Sequence, residues 1–215
     1  MSKIIEERRK KTLFLTQFSL LLAIEAIVCF TPLGSIPIGP LVATLSHVPV
    51  IITAITLGTG AGTLMGFFFG LFSFLYWTFN PGVTSFVFTP FYTIGEFGGS
   101  VWSIVICFVP RILLGLFSGL VFSALHKLFD GKKADAVSYV ASGIVGSLTN
   151  TVLVLGGIYL FFGREYAAAN GLAYEALIGA MMAVIGSNGL LEMAVAAVIA
   201  FAVCLPVRKY FLKLH

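Results

Sequence analysis

Long apolar runs fill the sequence, broken by short stretches rich in glycine, proline or basic residues. An α-helix needs ~20 apolar residues to cross a bilayer, and most of the runs meet that length. The first spans residues 13–31. Pro32, Gly34, Pro37, Gly39 and Pro40 then make a break that no helix continues through. A second run covers 41–57, with His47 and Pro49 predicting a kink or a broken helix near its start. Gly58, Gly60 and Gly62 lead into a third, which ends near Phe79. Residues 80–99 mix Phe, Pro, Thr and Gly; they are too broken to span and too apolar to float freely, which predicts a re-entrant or interfacial cap. The fourth, fifth and sixth runs are 100–125, 136–162 and 175–207. The pattern predicts an all-α membrane protein of six transmembrane helices, with an irregular extracellular loop between the third and fourth. A basic segment (1–12) precedes the helical domain (13–207) and another (208–215) follows it.

Composition supports that class. Hydrophobic residues make up 59% and charged residues 10%, against ~25% charged in soluble domains. A soluble enzyme, a disordered tail and a nucleic-acid module are excluded. Charge then sets orientation. Lys3, Arg8, Arg9, Lys10 and Lys11 precede the first run, Lys127, Lys132 and Lys133 follow the fourth, and Arg208, Lys209 and Lys213 follow the sixth. With six spans these clusters share one side, which the positive-inside rule makes cytoplasmic, so both termini are expected there. Their partner is then the bilayer surface and its anionic lipid, not nucleic acid. The basic-then-apolar start lacks a small-residue cleavage site before Pro32 and predicts a retained first helix. Cys29, Cys107 and Cys204 are scattered in apolar stretches, which suits packing rather than a disulfide or metal framework. No lysine follows the glycines at 58–62 to make a phosphate loop, and no zinc or nucleophile-and-base constellation is present; the chain reads as a non-enzyme without cofactor or metal.

Polar groups inside the runs are the candidate chemistry, since a charge at the bilayer centre costs at least ~2.5 kcal/mol. They are Glu25, Arg111, Asn150, Asn188 and Glu192. At ~1.5 Å per residue, Arg111 lies about 16 Å below the outer end of its helix and Asn188 about 20 Å below that of its own, while Glu25 and Asn150 lie about 18 and 21 Å above the inner ends. Two readings stand. Either Arg111 pairs with Glu25 or Glu192 and the asparagines bond between helices, or the set lines a cavity for a polar ligand. A guanidinium fork suits a carboxylate or phosphate, which makes Arg111, Asn150 and Asn188 the candidate ligand contacts; the structural reading leads for the two glutamates. His47 is either a packing residue or a further ligand group. The aromatics of the outer segment form an interfacial belt or a lid, with Trp77, Phe88 and Phe91 the favoured lid residues. Gly58, Gly62, Gly66 and Gly70, like Gly115 and Gly119, predict close helix packing.

In order along the chain, the stretches 46–52 (SHVPVII), 57–62 (LGTGAG), 66–70 (GFFFG), 110–115 (PRILLG) and 146–151 (GSLTNT) resemble the substrate-binding S components of energy-coupling factor (ECF) vitamin transporters, over residues 13 to 207. The resemblance implies a prokaryotic cell-membrane protein that holds a vitamin near the extracellular side. It also implies docking on a transmembrane T component and two ATPases, whose ATP turnover makes the S component topple and release its cargo inside. The family uses small residues of the first helix against the T component, and Ser19 and Ala23 are the nearest match. The Ser-His-Val-Pro and Pro-Arg segments look most like the pantothenate-type members, which makes pantothenate the favoured ligand. A riboflavin- or folate-type S component and a stand-alone secondary transporter are the alternatives.

Overall fold

The computed structural model describes residues 2–38, 41–128 and 132–212. Gly39 and Pro40 of the expected break, and Lys213 of the expected basic tail, lie outside the described residues. Helix α1 (Ser2–Phe30) runs straight from the basic segment into the first apolar run, because neither Gly nor Pro interrupts it before Pro32. No change of conformation marks residue 12.

The second predicted span is not one helix. Strand β1 (Ser35–Ile38) pairs antiparallel with β2 (Leu41–Thr44), Ser35 opposite Thr44. Only then does α2 (Val48–Thr56) begin. A residue before proline disfavours the helical region, which keeps the Pro37 stretch extended. Pro49 sits in the first turn of α2 and starts the helix rather than kinking it, since its fixed φ suits that position. At about 14 Å, α2 is less than half the hydrocarbon thickness.

The other runs form long helices. Gly58, with φ of 98°, makes the turn into α3 (Thr59–Phe79), a conformation that side chains rarely adopt. Helix α4 (Val101–Leu128) contains Pro110. Helix α5 (Lys132–Ala169) bends at Phe162, where φ and ψ leave the helical region, and then continues past the predicted end. Helices α6 (Tyr174–Val184) and α7 (Leu190–Leu212) are joined by a π-helical segment, Ile185–Gly189. Among the described residues, five stretches are long and apolar enough to cross a membrane: Ile4–Phe30, Thr59–Phe79, Val101–Leu128, Asp135–Ala169 and Tyr174–Val207. Between α3 and α4 the chain forms a buried 3-10 turn, Ser85–Val87, and a short hairpin of β3 (Thr93–Ile94) and β4 (Phe97–Gly98). Ser103 donates to the Phe86 carbonyl at 2.6 Å and pins that turn on α4.

Glycines set the helix contacts. A Cβ on Gly66 would run into the Arg111 carbonyl, one on Gly115 into the Gly62 carbonyl, and one on Gly62 into Ala54. Small residues thus let α2, α3 and α4 approach backbone to backbone, as lipid-embedded helices must when no hydrophobic effect drives them together. Gly146 does the same for α5 against Ser118 and Ile51, and Gly143 for α5 against α7. These pairings make α3, α4, α5 and α7 successively antiparallel, with α1 parallel to α3 through the Phe18–Phe68 and Phe30–Phe72 contacts. The start of α1, the end of α4, the start of α5 and the end of α7 therefore lie at one end of the bundle. Helix α2 packs at the centre, against α1, α3, α4, α5 and α7. Leu13, Leu15, Leu20, Ile24 and Ile27 form an exposed apolar face on α1, which suits lipid as solvent. Two buried apolar clusters fill the interior. One gathers Val50, Ile51, Met65, Phe69, Leu114 and Ala196; the other gathers Phe86, Val87, Ile106, Ile158 and Leu177 beneath the loops.

Candidate ligand-binding site

The seam between those clusters is polar. On α4 it falls between Ile106 and Leu114, where Arg111 is buried. Pro110 explains part of its geometry. Proline has no N–H, so the Ile106 carbonyl one turn earlier lacks its helical donor. Arg111 Nη1 donates to that carbonyl instead, at 2.7 Å. The guanidinium also lies against two aromatic rings, with Cζ 5.4 Å from the centroid of Phe69 on α3 and 5.4 Å from that of Phe88 in the loop. Nε has no partner. Neither predicted ion pair forms: among the described residues the pairs are Lys10–Glu6 and His126–Asp135, both away from Arg111. Desolvated cation–π contacts supply about 2 kcal/mol each, whereas burying an ion costs several. Among the described residues, no carboxylate offsets the buried guanidinium.

A second wall comes from α1 and the start of α2. Glu25 is fully buried. Its Oε1 accepts from Cys29 Sγ at 3.2 Å and its Oε2 has no partner. His47, at the N-terminal boundary of α2, is 1% exposed, with neither ring nitrogen partnered. Glu192 faces elsewhere: it accepts from the Thr44 backbone N–H at 3.1 Å and from Thr151 Oγ1 at 3.4 Å. It fastens strand β2 to α5 and α7.

The third wall is α5. Asn150 leaves its buried Oδ1 unpartnered, and so does the Ser147 hydroxyl one turn away. Ser118 on α4, two turns from Arg111, has an unpartnered hydroxyl as well. Sequence reasoning passed over Ser118 and Ser147. The signal was their spacing, seven residues from Arg111 and three from Asn150, which puts each on the same helix face. Asn188 is half-buried in the π-helical segment, whose Gly189 approaches Thr151 on α5. Trp77 stacks on Phe88, centroids 5.4 Å apart, so Trp77, Phe88 and Arg111 form one continuous stack. Phe91 is 76% exposed and packs edge-on against Phe74, away from that stack. Ser19 and Ala23 are exposed on α1, turned away from the buried Phe18 and Glu25. A guanidinium, unpartnered hydroxyl, amide and imidazole groups and aromatic rings are the groups a small polar anion uses.

The family model for the substrate-specific component of ECF transporters matches residues 13–204. The chain belongs to this family. A pantothenic acid transporter PanT of Lactococcus lactis subsp. cremoris is 40% identical over 166 residues, 76% of each chain. A pantothenate transporter PanT of Leuconostoc mesenteroides is 26% identical over 200 residues, covering 90% of this chain and 91% of its own. The structure of ThiT from Listeria monocytogenes shares the fold, with a TM-score of 0.61 over 94% of this chain and 98% of that one at 19% identity. This ECF component is thus a multi-pass membrane protein with bacterial relatives, and a substrate-binding part of a transporter rather than an enzyme.

Proposed function

We propose that this S component captures pantothenate at the extracellular side and delivers it through a shared T component and two ATPases. The observation that carries the ligand assignment is the buried, anion-free guanidinium of Arg111 among unpartnered hydrogen-bonding groups. Pantothenate offers one carboxylate, hydroxyls and an amide. Arg111 takes the carboxylate, and Asn150, Asn188 and His47 take the hydroxyl and amide groups. Trp77 and Phe88 close over it, with Phe91 on the outer surface of the same loop. The names of the two PanT relatives support the choice.

The remaining features suit delivery. Shortened α2 serves as the second of six passes, which leaves both termini and the α4–α5 connection cytoplasmic with their basic residues. The exposed Ser19 and Ala23 on α1 form the face that meets the T component. Uptake of labelled pantothenate by cells expressing the ECF module should require this chain. Uptake by the chain alone in liposomes would instead identify a stand-alone transporter, and binding of other vitamins with no response to pantothenate would reject the ligand.

A further inference from the structure

A guanidinium can hold a carboxylate by paired N–H groups on either of two edges, one made by its two terminal nitrogens and one that includes Nε. In Arg111, Nη1 already donates to the Ile106 carbonyl at 2.7 Å. Nε is buried and has no partner, although it is always a donor and never an acceptor. The orphaned donor singles out the Nε edge as the one a ligand meets. Aromatic rings hold the group in place. Cζ lies 5.4 Å over the ring of Phe69, itself 4% exposed on α3, and 5.4 Å over that of Phe88 in the loop. Gly66 and Gly70, on either side of Phe69, bring α3 against the backbone of Arg111 and of Cys107 and Phe108, which sets the Phe69 ring against the guanidinium. We infer that Phe69 is a positioning residue: its ring holds Arg111 so that Nε and the terminal nitrogen beside it meet the ligand's carboxylate side-on. The inference rests on the proposed capture of a carboxylate by Arg111 and adds the orientation in which it is taken. A fork fixed in advance gives up less freedom when the ligand arrives. Lysine is a point charge with no such edge and cannot replace it.

The test is equilibrium binding of two probes to the purified full chain: pantothenate, and the analogue with an alcohol in place of the carboxylate. The ratio of the two affinities reads the carboxylate contact, whereas a general loss of packing weakens both probes alike. Wild type should prefer pantothenate by at least about a hundredfold. Phe69→Leu and Phe69→Met stay apolar and remove the ring, so the preference should fall at least about tenfold while the alcohol binds within about threefold of wild type. Arg111→Lys keeps the charge and should leave a preference below about tenfold. Phe69 variants with an unchanged preference, or with both probes weakened equally, overturn the positioning role. A Lys variant that keeps the full preference overturns the side-on edge, and it decides that point even where neither Phe69 variant folds. Wild type that binds the two probes alike rejects capture of the carboxylate by Arg111, and the inference with it.

Discussion

Pro110 and Arg111 are neighbours in sequence, and their partnership shows only in the folded helix. The proline orphans the Ile106 carbonyl and the arginine answers it at 2.7 Å. That bond predicts a coupling. Arg111→Ala should cost less stability when Pro110→Ala has already returned an N–H to the carbonyl, with a coupling of about 1 kcal/mol in a double-mutant cycle read by thermal unfolding. Additive effects would show that the bond contributes nothing. The same Arg111→Ala change should cost about 2–5 kcal/mol of ligand affinity. Arg111 was legible from sequence because a guanidinium inside an apolar run is rare and needs a reason. Ser118 and Ser147 were not, since a helical serine ordinarily bonds back to its own helix, as Ser142 does to the Ser138 carbonyl. Whether a given serine leaves its hydroxyl free depends on the neighbouring helix, which one-dimensional periodicity does not contain.

Helices α3 and α4 show what packing in lipid demands of a sequence. Their glycines were legible as a spacing of four, and the structure gives Gly62, Gly66, Gly70, Gly115 and Gly119 each a specific neighbour, while Gly58 makes the turn before α3. Gly66 lies on the carbonyl of the very residue proposed to bind ligand. Gly66→Leu should therefore push α4 off α3, lowering the unfolding temperature and displacing Arg111. Gly156→Ala, in open space on α5, should be tolerated or stabilise by up to about 1 kcal/mol. Thermal unfolding in detergent separates the two; equal effects would mean that the glycine ridge does not set the contact. The element that sequence misjudged was the second span. Strand β2 and helix α2 share one apolar composition, so hydropathy saw a single run, and short apolar runs do not declare helix or strand. The hairpin is fixed by non-local bonds, among them that of Thr44 N–H to Glu192, 148 positions along the chain.

The molecule as a whole is a set of long helices packed around one short one, with a polar seam between two apolar clusters. Membrane class was legible because lipid imposes a length and a composition on every crossing. The antiparallel order of α3, α4, α5 and α7 brings the start of α1, the end of α4, the start of α5 and the end of α7 to one end. The role proposed for the seam rests on one electrostatic point: the anion for a buried cation is to come from the ligand. The most direct measurement is calorimetric titration of the purified chain with pantothenate and with its neutral analogue, in which an alcohol replaces the carboxylate. Pantothenate should bind at least about a hundredfold more tightly, and Arg111→Ala should erase the difference. Equal affinities for the two compounds in the wild-type protein would contradict the account.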